Sequence, residues 1–532
     1  MLSLRSQRIC RSIRGAFCFV APMLILGPET IVAQRLTNEQ GRGHIAAYIR
    51  AHDLAIVREL SNFLAIPNLA TDSVGIRRNA RHLADMMTAR GIQTRLLDGP
   101  PGAPPVVFGE LPTPTATKTI VFYAHYDGQP VDPAQWATPP WQPVLRDKPL
   151  ADGGPGIPMP SSPGMMQGEW RLYARSASDD KAPIVAMLTA LDALRASGVS
   201  PSVNLKFFFE GEEEAGSGHL HDILVRNAPL LAADAWLFCD GPVHQSRRQQ
   251  IVFGARGVMG AELTVYGPSH GLHSGHYGNW APNPITLLAN LIASMRDDDG
   301  HIRIAHYYDD VTPITPADRR ALATIPSVDS ALRAEVELGA TEANDAPLVE
   351  RIMLPALNLR GIRGGAVGAT ASNTIPTEAT ASIDFRLVPR QTPAHVRELV
   401  EAHLRAQGYF IVDHTPTPAE RMAHARIVKV RWEAGYAATR VPTDAPLSRA
   451  VLRAAEEATG GPVVALPILG GSLPLATFDE VLHTPLVVVP IVNHDNNQHA
   501  ANENLRLQNL FDGIQVFAAM MSDLGRYWGA GA

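Results

Sequence analysis

One stretch of this chain constrains its fold more than any other. From Ser176 the sequence reads SASDDKAPIVAML, a run with helical spacing, and later NLKFFFEGEEEAGSGH, which ends at His219. Asp179 and Asp180 stand just ahead of the apolar helix pattern. Glu210, Glu212, Glu213 and Glu214 follow directly on an apolar strand pattern over 204–209. Carboxylates crowded at the ends of buried elements repel one another and are costly to desolvate, so a cation is expected among them. An earlier apolar run, 119–127, ends in His-Tyr-Asp, and a late loop carries His494 and His499. Four distant segments thus offer nitrogen and oxygen donors to one centre.

At 532 residues the chain exceeds a single comfortable core, and two domains are expected. With 45% hydrophobic and 18% charged residues it reads as globular. A formal charge of −6 without a long basic run speaks against electrostatic binding to nucleic acid. The start of the chain is a different material. Arg5, Arg8, Arg11 and Arg14 precede an apolar run over 16–26, and a short polar region ends at Ala33. A basic start, a short apolar middle and a small residue at the end read as a signal peptide of residues 1–33, cleaved after Ala33, in an exported protein, periplasmic or secreted. The competing reading is a membrane anchor, but a span needs about 18 or more apolar residues. The run is shorter, so no stable membrane span is expected after removal. Cys10 and Cys18 fall inside that segment, which leaves Cys239, in WLFCD, as an apolar strand residue with no disulfide partner.

Beyond it, two helical patterns, the second near 76–90, lead to strand patterns at 93–97, 106–111 and 118–128. A helix pattern at 182–196 and buried strands at 202–209 and 235–239 continue the alternation. This is an α/β layer, in which ligands gather beyond the carboxyl ends of strands. His125 and Asp127 occupy that position, and Asp240 ends WLFCD. Residues 147–168, rich in Gly, Pro and Met, read as a surface insertion near the site. After Arg256 the pattern changes. Strands at 261–266 and 379–387, helices at 284–295 and 392–406, and the loop SHGLHSGHYGNW describe a separate α+β domain set into the first. A helix at 442–459, strands at 463–466 and 485–490, and a last helix at 507–524 resume the first domain. The expected division is 34–255 and 431–532 for one domain and 256–430 for the inserted one.

Each motif alone is weak. His125 and Asp127, two apart in an extended strand, face one side, so one can bind a metal while the other orients it; a hydrogen-bonded core histidine fits equally. Asp179 and Asp180 also suit a helix N-cap pair, and the glutamate run suits a solvated loop. Taken together, HYDGQP, ARSASDDK, EGEEEAGS, Asp240 and QHAANE resemble the dinuclear zinc exopeptidase and aminoacylase family in order and context, from about Leu54 to the C-terminus. That family includes carnosine-type dipeptidases, glutamate carboxypeptidases, acylornithine deacetylases and succinyl-diaminopimelate desuccinylases.

The resemblance implies an α/β fold: a catalytic domain with a mixed central sheet flanked by helices, interrupted by an α+β lid or dimerisation domain. It implies two divalent ions held by His125, Asp179, Glu214, Asp240 and His499, with Asp179 bridging, Asp127 orienting His125 and Glu213 as general base. Nitrogen and oxygen donors without thiolate suit Zn2+, with Mn2+ or Co2+ as alternatives. His273 resembles a lid histidine that reaches a neighbouring subunit's site, which implies a homodimer through the lid domain. Arg386 in SIDFRLVP resembles an arginine that binds a substrate carboxylate. Asn373 in ASNTIP and the loop of Gly471 and Ser472 resemble further substrate contacts. The sequence departs from the family at Ala174, Ser176 and Ala182, where glycines are usual. The activity implied is metal-dependent cleavage of the amide bond of short peptides, of dipeptidase or carboxypeptidase type. The same centre would serve an N-acyl-amino-acid amidohydrolase. A non-catalytic binding protein on this fold should lack a ligand or the base, and none is missing.

Overall fold

In the computed structural model, which describes residues 38–471 and 473–529, the apolar runs of the sequence lie side by side in the middle of an eight-stranded sheet. Its order is Gln93–Leu97, Val106–Leu111, Asn204–Glu210, Thr119–His125, Ala235–Phe238, Leu486–Val488, Gln250–Val252 and Val464–Leu466. Thr119–His125 pairs in parallel with both of its neighbours, and Leu486–Val488 runs parallel to Ala235–Phe238. Val106–Leu111, second from the edge, pairs antiparallel with Asn204–Glu210, so the sheet is mixed. Four strands of one direction therefore bring His125, Glu210, the Asp240 turn and the loop that leads to His499 to a common edge. That edge is where an α/β sheet can host a ligand without breaking its ladder.

Both faces of these strands are covered, which is why they read as unbroken apolar runs rather than as alternation. Phe122, Phe207, Phe209 and Leu237 join the core under the helices Lys181–Ala196, Pro446–Thr459 and Leu507–Gly529. Tyr123, Phe208, Trp236 and Phe238 face the other way, onto Leu220–Leu231 and Leu475–Leu482. The helix Lys181–Ala196 is apolar nearly all round because it is buried on nearly every side. Its first residue is a buried lysine. Lys181 Nζ donates to the carbonyls of Phe63 (2.8 Å) and Ile66 (3.1 Å) and to Asn79 Oδ1 (2.7 Å). Burial pushes its pKa well down, and the three acceptors replace the water it has lost.

A second sheet has the order Ala356–Arg363, Glu378–Leu387, Gly257–Tyr266, Ile427–Trp432 and Phe410–Val412. Helices Pro284–Met295 and Pro393–Ala406 cover one face and share a core of their own with it. One bare face explains the strict alternation of Glu378–Leu387, the clearest strand signal in this region. Ala356–Arg363 carried no such signal, since it is an edge strand, exposed from Asn358 onward and irregular between Leu359 and Gly361. The described residues nevertheless form one compact unit. Among them no helix is long and apolar enough to cross a membrane.

The insertion at 147–168 lies largely at the surface and is tied down at its far end. Its anchors are on the first helix, Asn38–Leu64: buried Asp53 accepts from the amides of Gly164 (2.9 Å) and Met166 (3.0 Å). Met159 and Met166 pack against the large core. Apart from Gly156–Ile157, which pairs antiparallel with Leu145 and Arg146, the run is irregular and gave no clue to which surface it would cover; one buried aspartate holds its far end.

Candidate metal centre

His125 ends its strand with no exposed surface. Its Nε2 stands 2.9 Å from Asp179 Oδ1 and 3.8 Å from Asp240 Oδ2, and its Nδ1 lies 3.4 Å from Asp127 Oδ1. Asp127 faces His125 as the two-residue spacing requires, but it also does something the spacing did not reveal. Its two oxygens accept from the backbone amides of Glu213 (3.2 Å) and Glu214 (3.0 Å). One carboxylate thus joins the histidine strand to the glutamate turn.

That turn, Glu213–Ala215, is a single 3-10 turn directly beyond the apolar strand Asn204–Glu210. Glu214 Oε2 lies 3.4 Å from His499 Nε2 and accepts from Gln129 Nε2 at 2.6 Å. His499 Nε2 is in turn 3.1 Å from Asp179 Oδ2. Asp179 therefore stands between the two imidazoles, one at each oxygen, with Glu214 on the His499 side and Asp240 on the His125 side. All five donors expected from the sequence come together.

Asp180 behaves differently from an N-cap. It occupies the position before the helix Lys181–Ala196, yet its side chain makes no capping hydrogen bond. Instead Oδ2 accepts from the His125 amide at 3.3 Å, and Oδ1 is buried without a partner. The Asp179–Asp180 peptide is cis, a feature no pattern in the sequence announces. His125, Asp180 and Asp240 also form a close set of possible metal donors, alongside His125, Asp179 and Glu214.

Glu212 and Glu210 have other partners. Glu212 pairs with His219 at 2.8 Å. Glu210, its pKa raised to about 7 by burial, accepts from the Tyr123 hydroxyl at 2.8 Å. Two residues that the sequence reading did not single out, Asn68 and Glu503, hold the loop ahead of Asp179. Both are fully buried. Asn68 Nδ2 donates to the Tyr126 carbonyl and to Ser176 Oγ, each at 2.8 Å. Ser176 takes a left-handed backbone (φ 62°), which favours glycine, the residue that the resemblance led one to expect there. The only sequence hint of Glu503 was its place inside QHAANE.

The electrostatics call for a cation. Burial raises the pKa of Glu214 to about 8, with the Asp179 charge adding to it, and raises Asp240 to about 6 by the same two causes. Glu213 is pushed well up by burial and by Asp240, Glu214 and Glu210, against the pull of His125. For Asp179, burial is outweighed by His125 and His499, and its pKa falls. Buried carboxylates this close cannot all ionise beside two imidazoles alone. Orphaned Asp180 Oδ1 and the purely nitrogen and oxygen donor set fit divalent ions.

This has a sign that can be worked out. Folded-state pKa values above the ordinary 3.8 and 4.5 stabilise the ion-free protein below the carboxylate range, and that stability is lost as pH rises from there through about 6 for Asp240 and about 8 for Glu214. The melting temperature of chelator-treated protein is therefore expected to fall across that window. Saturation with a divalent ion should remove the fall, and ion affinity should rise with pH as protons are displaced. Thermal scans across the window, with and without chelator, measure it.

The residues expected to touch substrate lie on the second sheet and its surroundings. His273 is exposed; its Nδ1 accepts from the Gly275 amide at 3.1 Å and its ring lies 4.6 Å from that of His276. It pairs with Thr374 across a two-residue ladder, and the carbonyl of exposed Asn373 accepts from the Ser274 amide. Arg386 Nε donates to Asp384 Oδ2 at 2.9 Å on the face away from the helices. Gly471 is exposed, its neighbour Gly470 accepts from Arg256 Nε at 3.1 Å, and Ser472 lies outside the described residues.

Comparison with known proteins agrees with this geometry. The model of Peptidase family M20/M25/M40 matches residues 121–523. The Cys-Gly metallodipeptidase dug1 of Schizosaccharomyces pombe is 26% identical over 488 residues, 88% of this chain and 95% of the relative. The human Beta-Ala-His dipeptidase is 25% identical over 500 residues, 90% of this chain and 92% of its own. Among solved structures, an M20 family metallo-carboxypeptidase from Sulfolobus solfataricus, Sso-CP2, superimposes with a TM-score of 0.69 at 26% identity, covering 88% of this chain and 99% of that one.

These relatives also correct one expectation. Export to the periplasm or medium, with cleavage after Ala33, does not stand against kinship with the Cys-Gly metallodipeptidases of three yeasts. A basic and then apolar start is a matter of composition, which other targeting segments share. Residues 1–33 lie outside the described residues. The carboxylate and histidine cluster and a family match that runs from the His125 strand into the last helix lead to one assignment: the chain belongs to Peptidase family M20/M25/M40, and is a metal-dependent hydrolase of peptide bonds.

Proposed function

We propose that this peptidase is a dinuclear zinc dipeptidase in which Glu213 is the general base. The observation that supports the reading is the pairing of Asp127 with the Glu213 and Glu214 amides, on the turn beside His125, Asp179, Asp240, Glu214 and His499. His125, Asp179 and Asp240 would hold one ion, and Asp179, Glu214 and His499 the other. When bound, the two ions supply Lewis acidity toward the amide carbonyl and an acidified water. Glu213 accepts the proton of the attacking water and passes it to the departing amine nitrogen. Asp127 keeps the base and the His125 ring in register, because it contacts both.

Arg386 and the Gly471–Ser472 loop would recognise the free carboxylate that distinguishes a short peptide. The exposure of His273 and Asn373 fits a role at a neighbouring copy's site, in a homodimer formed through residues 256–430 acting as the lid.

A substrate panel on zinc-loaded protein tests the reading. Dipeptides, including Cys-Gly and beta-Ala-His, are expected to be cleaved, longer peptides more slowly, and N-acyl amino acids least. Turnover confined to N-acyl amino acids would replace it with the amidohydrolase reading.

A further inference from the structure

We propose that Glu503 is a positioning residue of the metal centre: its carboxylate sets the backbone that carries Asp179 and fixes it relative to His499. The proposal rests on the reading of Asp179 and His499 as metal ligands. Glu503 follows His499 by four residues in the late loop, and the loop it grips lies more than three hundred residues earlier. Its Oε1 accepts from the amides of Ser178 (2.8 Å) and Asp179 (2.9 Å). Its Oε2 accepts from the Ser176 amide (2.9 Å) and from Arg175 Nη1 (2.8 Å). Every one of these donors belongs to the five-residue segment that ends at Asp179.

The grip is reciprocal. Arg175 Nη2 donates to the carbonyl of Ala500, the residue after His499, at 3.2 Å. The Ala174 amide donates to the Glu503 carbonyl, and Asn504 pairs with Tyr173 across an antiparallel ladder. Each loop therefore uses a buried charge to hold the backbone of the other. Charge-assisted hydrogen bonds from backbone amides are short and directional. Three of them on one carboxylate leave the Asp179 main chain little freedom. They also oppose the cost of the left-handed backbone at Ser176. Groups that orient a ligand without touching the metal commonly govern affinity about as strongly as some ligands do.

An ion pair that only stabilises the fold would look similar, and the protein contains a partly buried one for comparison. Arg90 is bound to Glu59 at 2.9 Å and to Asp192 at 2.7 Å, between helices and away from the cluster. Chelator-stripped full-length E503Q, E503D and E59Q, with wild type, would be titrated with Zn2+ by calorimetry and melted with and without it. E503Q replaces an acceptor by a donor that faces amides. It is expected to weaken at least one ion about 10–100-fold and to lower kcat with KM little changed. E503D keeps the charge but is one methylene short, and should fall between E503Q and wild type. E59Q should lose melting temperature and keep wild-type ion affinity.

Wild-type titrations for both Glu503 variants would overturn the proposal, as would equal affinity losses in E503Q and E59Q. Should E503Q fail to fold, E503D decides it by the same titration. Ion binding is read directly, so wild type that binds two ions but cleaves no dipeptide would refute the substrate reading and leave this one standing.

Discussion

Glu213→Gln is expected to lower kcat about 10²–10⁴-fold, the usual contribution of a general base, while the protein keeps its bound ions. The reason lies in how the turn is built. Glu213 and Glu214 are neighbours, but Glu214 is tied to Gln129 and His499, whereas the contact that fixes Glu213 is made by its backbone amide on Asp127. Removing its charge should therefore leave the donor set complete. It should even relieve the repulsion that Asp240, Glu214 and Glu210 exert on it. Ion content by elemental analysis, together with kcat on a dipeptide, separates the two effects. Turnover within a few-fold of wild type would remove Glu213 from the mechanism. Loss of ions along with turnover would make it a ligand instead.

The second large effect is expected at Asp179. Asp179→Asn removes the one carboxylate that stands between both imidazoles, at 2.9 Å from His125 and 3.1 Å from His499. A loss of about 4 kcal/mol in ion binding, roughly 10³-fold, is expected, with ion content falling to half of wild type or less and activity to background. The ion-free protein should respond as well. The two histidines hold the Asp179 pKa down, so wild type gains stability above the ordinary carboxylate range and loses it as pH falls through that range and below. The Asn variant should lack that gain. Full ion content in D179N would show that Asp180, whose Oδ1 is buried and unpartnered beside His125 and Asp240, serves in its place.

Much of the site was legible because buried strands and their ends leave marks in one dimension. FFF followed by four glutamates, and an apolar run that stops at His-Tyr-Asp, report burial and its sudden end. Of the five donors brought together, His125 and Glu214 fall on those marks. The second sheet was legible only where one face was bare, as at Glu378–Leu387, and illegible at the exposed edge Ala356–Arg363. Which surface the insertion at 147–168 covers was illegible for a related reason. A run without periodicity carries no address, and Asp53, on a helix more than a hundred residues earlier, holds it. The export reading failed because a basic start and a short apolar run do not by themselves make an exported chain.

The chain by itself determined which donors exist and that they cannot be buried without a cation, because charge and desolvation depend on residue type and local burial. It determined that Asp179, Glu213 and Glu214 would stand at the ends of buried elements. Only the tertiary structure decided how these parts are held. Asp127 reaches across to two amides of the glutamate turn, Ser176 takes a left-handed backbone under Asn68, and Glu503 grips a loop more than three hundred residues away. Such contacts depend on which segments the sheet brings to one edge, and a buried side chain's partner far along the chain leaves no periodic trace near it.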